Sequence, residues 1–326
     1  MGLTSAKAAI DAGLEVTLFD PRPGLGASFA AAGMISPGSE FLGGFAHEYE
    51  LSAQSAVLWP EFALSLGVPL HRASTEVVGW TSGDRADVER YCATAKTFNV
   101  TTERVPRSGS SFDLSPRVSD IWRFHDEMFV DVSVLLERLI EFVSSRGVIV
   151  SERVVDVTDS EHSVAVTTST GVRHFDRCLI ATGSEKVPHG ASIAPIVRSV
   201  RGVTLRALGD ARTPGMIRAF VDGRQIYAVR HPDGMVVVGA ISDETNSPRV
   251  LIRDMKELTE TVTAVIPGLG DAEFREARSG LRPTTSDARS FFHTNSKRLA
   301  VTSGYFRHGI LLAPIALRRA EAFWRD

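Results

Sequence analysis

Cysteine is scarce in this chain: only Cys92 and Cys178 occur in 326 residues. They form no Cys-x-x-Cys pair, which excludes a disulfide framework and a thiolate metal site and fits a reducing cytoplasm. The nine histidines include no His-x-x-x-His pair, so no metal is expected. No run of about 18 apolar residues offers a membrane span. Asp11 interrupts any apolar signal-peptide core, and Ala6 stands where a myristoylation signal at Gly2 needs Ser or Thr. Positive charge is not in excess either: the net charge is −3, and the scattered Lys and Arg form no stripe for a phosphate backbone. Internal repeats and low-complexity tracts are absent. The expected setting is the cytoplasm, with neither membrane nor nucleic acid as partner and with a homo-oligomer left open.

What is there is an ordinary globular composition, with 43% apolar and 23% charged residues. At about 150 residues per domain, the length predicts two domains with separate cores. Leu3, Ala6 and Ile10 share one helical face, and Gly13 sits where a left-handed cap ends a helix. Residues 14–18 then alternate as a strand that ends at Phe19 and Asp20. Residues 21–44, rich in Gly, Ala, Pro and Ser, read as a long ordered loop of the kind that is usually functional. A helical pattern covers residues 48–66, and residues 71–123 mix short strands with polar helices.

Asp131 is an N-cap for a helix with Leu135, Leu139 and Val143 on its apolar stripe, ending at Gly147. Residues 148–157 and 163–175 read as strands, and residues 178–181 as a buried parallel strand cut off by Thr182 and Gly183. Strands dominate residues 193–278, with a hairpin around Pro232, Asp233 and Gly234 and one helix near 251–265. The last part reads strand, Gly-rich turn, then a helix over 309–324.

Several segments carry chemistry. Gly2 opening a helix and Asp20 ending the next strand match the third glycine and the ribose-binding acid of a dinucleotide fold. Both residue types are also common in plain turns. Residues 27–40, ASFAAAGMISPGSE, are small enough for backbone to approach a flat ligand; a helix-packing site is the bland alternative. Residues 304–314, GYFRHGILLAP, place Arg307 and Gly309 ahead of a helix, where open N–H groups can meet an electron-rich ring edge. GLRP at 280–283 sets Arg282 beside a rigid proline, able to clamp a carboxylate bidentately or to make an ordinary ion pair.

Together AAAGM at 30–34, ATG at 181–183, the hairpin at 227–239, GLRP and FRHGILLAP at 306–314 resemble the FAD-dependent D-amino-acid oxidase family. Its glycine oxidase branch, associated with thiamine synthesis, is the most similar, and the resemblance runs from Gly2 to about Leu317. It implies an α/β fold in which an FAD-binding Rossmann-like domain (1–45, 124–192, 279–326) is interleaved with an antiparallel-sheet substrate domain (46–123, 193–278). Noncovalent FAD would lie along Gly2, Asp20, Ala31, Gly33, Met34, Val154, Thr182 and Gly183, with His308, Gly309, Ile310 and Leu311 at the flavin. Arg282 would hold the substrate carboxylate, Tyr227 would hydrogen-bond it, and Arg307 would stand near substrate and flavin. The implied reaction is oxidation of glycine or a similar small amino acid or amine, with oxygen as acceptor.

Three departures from the family pattern stand out. The first strand and first two motif glycines are absent ahead of Gly2, Ala288 and Arg289 replace the usual glycine after Asp287, and no C-terminal extension follows Asp326. A D-amino-acid or sarcosine-type dehydrogenase and a truncated, non-catalytic remnant are the competing readings. An NAD-dependent dehydrogenase would share only Gly2 and Asp20.

Overall fold

The computed structural model describes residues 1–40, 48–191, 196–209 and 213–325. It opens with helix α1 (Gly2–Asp11). The Leu14 amide donates to Ala9 and that of Gly13 to Ile10, a Schellman ending that uses Gly13 at φ +80°. Strand β1 (Thr17–Phe19) follows; it is shorter than the alternation from residue 14 predicts because the helix ending occupies Gly13 and Leu14. A 3-10 turn (Ala27–Ala30) and strand β2 (Met34–Ile35) order the small-residue segment.

Helix α2 (Tyr49–Leu66), strand β3 (Leu70–Gly79), helix α3 (Ser82–Thr97) and strands β4 (Thr102–Pro106) and β5 (Asp120–Val130) come next. Helix α4 (Val132–Arg146) starts on Asp131, whose side chain accepts from the Ser133 amide at 2.7 Å, and buries Leu135, Leu139 and Val143. The expected strand over 148–157 is two strands, β6 (Val148–Val150) and β7 (Asp156–Asp159), because the chain leaves one sheet for another between them. Strands β8 (Val164–Thr168), β9 (Gly171–Phe175) and β10 (Cys178–Ile180) complete this half.

The second half supplies β11 (Arg198–Leu208), β12 (Gly215–Val221), β13 (Arg224–Arg230), β14 (Met235–Glu244), helix α5 (Ile252–Val265) and β15 (Glu273–Thr284). Strands β16 (Phe291–Thr294) and β17 (Leu299–Ser303) and helix α6 (Ala313–Arg325) end the chain. Helix α6 begins four residues later than the pattern suggests, since residues 309–312 form a turn closed by the Leu312 amide on the His308 carbonyl. Ala288, where the family prefers glycine, takes φ +56°.

The architecture is α/β. Strand β1 pairs in parallel with β6, and β10 pairs in parallel with β17, which pairs antiparallel with β16. Among the described residues β1 and β10 each have a single strand neighbour, and both line one cavity with their open edges. Helices α1, α2 and α4 and the turn into α6 share a core around Trp59, Leu135 and Leu311. The large sheet runs β15-β11-β14-β13-β12-β3-β5-β2, with β4 on β5. It is antiparallel as expected except where β12 meets β3 in parallel.

Period-two alternation gives this sheet its two faces. Ile217 and Ala219 on β12 and Val236 and Val238 on β14 pack toward α5. Met216, Val229 and Val237 face Ala32 on the other side, the side of the small-residue segment. Of the expected domain boundaries, those at 45 and 192 lie outside the described residues. Those at 123 and 278 fall inside β5 and β15, both of which are strands of the large sheet. No helix among the described residues is long and apolar enough to cross a membrane.

Candidate active site

A cavity of about 1620 Å³ extends from the gap between β1 and β10 to the inner face of the large sheet. That exceeds the roughly 300–1,000 Å³ of an ordinary small-molecule pocket and leaves room for a dinucleotide beside a substrate. At one end α1 presents an N-terminus that no side chain caps, so its first amides and the positive end of its dipole are available to a pyrophosphate. A Cβ on Gly2 would already touch Leu18 Cδ1 at 3.8 Å and Ala181 Cβ at 3.9 Å. Asp20 follows β1 on the same wall, its Oδ1 accepting from the Arg22 amide at 2.9 Å. Val154, between β6 and β7, lines this end as well.

Ala31, Gly33 and Met34 form the middle of the wall. Gly33 has φ +82°, and a Cβ there would lie 2.0 Å from the Val130 carbonyl oxygen, so the approach of β5 itself demands glycine. The Ala30 carbonyl accepts from Thr204 Oγ1 at 3.0 Å, tying the segment to the large sheet. Opposite, the Thr182 and Gly183 turn is held by Ser303 Oγ donating to the Gly183 carbonyl at 2.8 Å.

At the far end stand Tyr227, Arg282 and Arg307. Tyr227 lies across from Gly239 in the β13–β14 ladder, and a Cβ on Gly239 would be 2.4 Å from its hydroxyl. Arg282 crosses over Gly202 of β11 in the same way. Burial pushes the Tyr227 phenol up against the pull of Arg282, so it stays a neutral donor. Burial likewise lowers both Arg282 and Arg307; Arg307 lowers Arg282 further and Arg218 lowers Arg307, a crowding of cations that an anion relieves.

The backbone amides of Gly309 and Ile310, on the wall, are bonded to no backbone carbonyl among the described residues. Two expected residues are elsewhere. His308 is buried behind the wall, its Nε2 3.7 Å from Glu40 Oε2. Leu311 packs in the helical core, its carbonyl accepting from Ser55 Oγ at 2.7 Å and Trp59 Nε1 at 2.9 Å.

Three contributors were not read from the sequence. Arg218 of β12, on the Met216 face, hydrogen-bonds Glu40, Ser39 Oγ at 3.0 Å and Ser36 Oγ at 3.2 Å. Glu127 of β5 accepts from the Ser39 amide at 2.7 Å and its hydroxyl at 2.9 Å. Burial raises Glu127 to about 7, whereas for Glu40 burial is outweighed by Arg218 and His308, which hold it well below the carboxylate range. A lone Arg inside the apolar run GMIRAFV, and glycines at 202 and 239 inside strands, were the available signals.

Comparison with known proteins agrees with this geometry. The chain is 30% identical over 202 residues to the bifunctional protein ThiO/ThiG of Synechocystis, a match covering 60% of this chain but 30% of that protein. It is 27% identical over 326 residues to a Rhizobium etli protein whose name assigns it to thiamine biosynthesis as an oxidoreductase, covering 96% and 90% of the two. In fold it is similar to the crystal structure of glycine oxidase from Geobacillus kaustophilus, with a TM-score of 0.88, 21% identity and coverage of 99% and 91%. The model of the FAD dependent oxidoreductase family matches residues 1–320. The chain belongs to this family of FAD dependent oxidoreductases, and FAD is its cofactor.

Proposed function

We propose that the chain oxidises glycine or a similarly small amino acid to the imine, which hydrolyses to the 2-oxo acid, with oxygen as acceptor and thiamine thiazole synthesis as the purpose. The observation that carries the reading is the placement of Arg282 and Tyr227 together over Gly202 and Gly239, at the end of a cavity whose other end suits a dinucleotide. The names of the relatives support the substrate class and the pathway.

The chemistry that bound FAD would supply at this site is acceptance of a hydride from the substrate α-carbon, with oxygen as the final acceptor and hydrogen peroxide as the product. The rest is positioning. Arg282 offers two parallel donors to the substrate carboxylate, and the Tyr227 hydroxyl adds a third. The residues that would hold the cofactor are Gly2, Asp20, Ala31, Gly33, Met34, Val154, Thr182, Gly183, Gly309 and Ile310, all on the cavity wall. Attachment is noncovalent in this reading: Cys178 is on the wall, but burial pushes its thiol up to about 12, so it is no nucleophile at neutral pH.

The test is an assay of the flavin-loaded protein for peroxide with glycine, sarcosine and D-alanine. Peroxide with the small amino acids supports the reading; dye reduction without peroxide replaces it with a dehydrogenase.

A further inference from the structure

Among the described residues lining the substrate end of the cavity, one is a carboxylate. Glu15, Asp20, Glu152, Asp176 and Glu185 also line the cavity, but they sit on or beside β1, β6, β9 and β10, at the cofactor end. Glu40 instead shares its surroundings with Tyr227, Arg282 and Arg307, and the charge of each of these three is perturbed by it. Its side chain retains 16% exposure, at the wall of the cavity.

The carboxylate is held from behind by a chain of contacts that crosses three parts of the fold. Arg218 on β12 donates to Glu40 and, through Nε, to Ser39 Oγ at 3.0 Å. The Ser39 hydroxyl and amide in turn donate to Glu127 on β5 at 2.9 and 2.7 Å. Burying such a pair costs free energy that an apolar pair of the same shape would not, so it is poorly explained as a stabilising device.

We propose that Glu40 recognises the amino group of the substrate while Arg282 holds its carboxylate, and that Arg218, Ser39 and Glu127 are positioning residues that fix Glu40 at the wall. This rests on the amino-acid reading of the site and deepens it: two opposite charges, held apart on one wall, match the two ends of an α-amino acid. Arg218 bonds one oxygen of Glu40 and His308 Nε2 lies 3.7 Å from the other, and a carboxylate, which accepts at about four lone-pair sites, has capacity left for an N–H donor. An acid without the amino group leaves this capacity unused.

The experiment uses ligands that cannot be oxidised because they have no hydrogen on the α-carbon or no amino group on it: 1-aminocyclopropanecarboxylate and cyclopropanecarboxylate. Their affinities for the flavin-loaded protein are measured by calorimetry. The unaltered protein should prefer the amino ligand by roughly tenfold or more, the size of a charge-assisted hydrogen bond. Glu40→Gln should abolish the preference and leave the plain carboxylate within about twofold; Arg218→Met should reduce the preference in the same selective way. Glu40→Asp, which withdraws the carboxylate by one methylene, reads the same ratio if the Gln variant does not fold. No preference in the unaltered protein, or equal weakening of both ligands in the variants, overturns the proposal. A preserved preference in a protein that oxidises no amino acid would retain the role of Glu40 and remove the proposed reaction instead.

Discussion

A Cβ on Gly202 would stand 2.3 Å from the guanidinium carbon of Arg282, so the path of that side chain to the cavity exists only because residue 202 has none. The clashing atoms are the far end of a flexible side chain rather than backbone. Gly202→Ala is therefore expected to fold but to displace the guanidinium. KM for carboxylate substrates should rise about tenfold or more while the melting temperature and bound flavin change little. A variant that loses flavin, or one whose KM is unaltered, refutes this use of Gly202.

Arg282 itself is tested by a change that keeps charge and loses geometry. Lys cannot reproduce two parallel donors, so Arg282→Lys should raise KM and lower kcat together, and Arg282→Ala more so, without loss of FAD. A simple amine, which has no carboxylate, should react at nearly its original low rate in the Ala variant. Equal loss for amine and amino acid would make Arg282 a structural residue.

Glu127 provides a pH dependence of stability. Burial raises its folded-state value to about 7, so the folded protein binds the proton more tightly than the unfolded chain does. Its contribution is full below the ordinary carboxylate range and is lost as pH rises through about 7. Gln has no charge to desolvate, so Glu127→Gln should gain about 2 kcal/mol relative to the parent between pH 5 and pH 8. Denaturant melts at the two pH values check this; parallel curves would show that Glu127 is ionised throughout.

Much of this arrangement was legible in the residues because it follows from local rules. Gly13 ends α1, Asp131 starts α4, and Thr182 with Gly183 cuts off β10, each through backbone chemistry confined to a few neighbours. The cavity also gathers Asp20, Ala31, Tyr227, Arg282 and Arg307 from distant parts of the chain, as the family resemblance implied. What the residues did not disclose depends on the other side of a contact. Gly33 looked like room for a flat ligand, and it does line the cavity, but the carbonyl of Val130 is what excludes a side chain there. His308 and Leu311 stand within the FRHGILLAP run yet turn away from the cavity, since a turn precedes α6. Arg218 and Glu127 are far from the Ser39–Glu40 segment in sequence and meet it only after β12, β3 and β5 are paired.

The most direct test of the whole account is anaerobic mixing of the flavin-loaded protein with glycine or sarcosine, followed by the visible absorption of the oxidised flavin. Loss of that absorption with these small amino acids, its return on admitting oxygen with peroxide released, and no change with L-amino acids of larger side chain are the predicted results. Absorption that stays unchanged with glycine, sarcosine and D-alanine alike would contradict amino-acid oxidation as the function of this site.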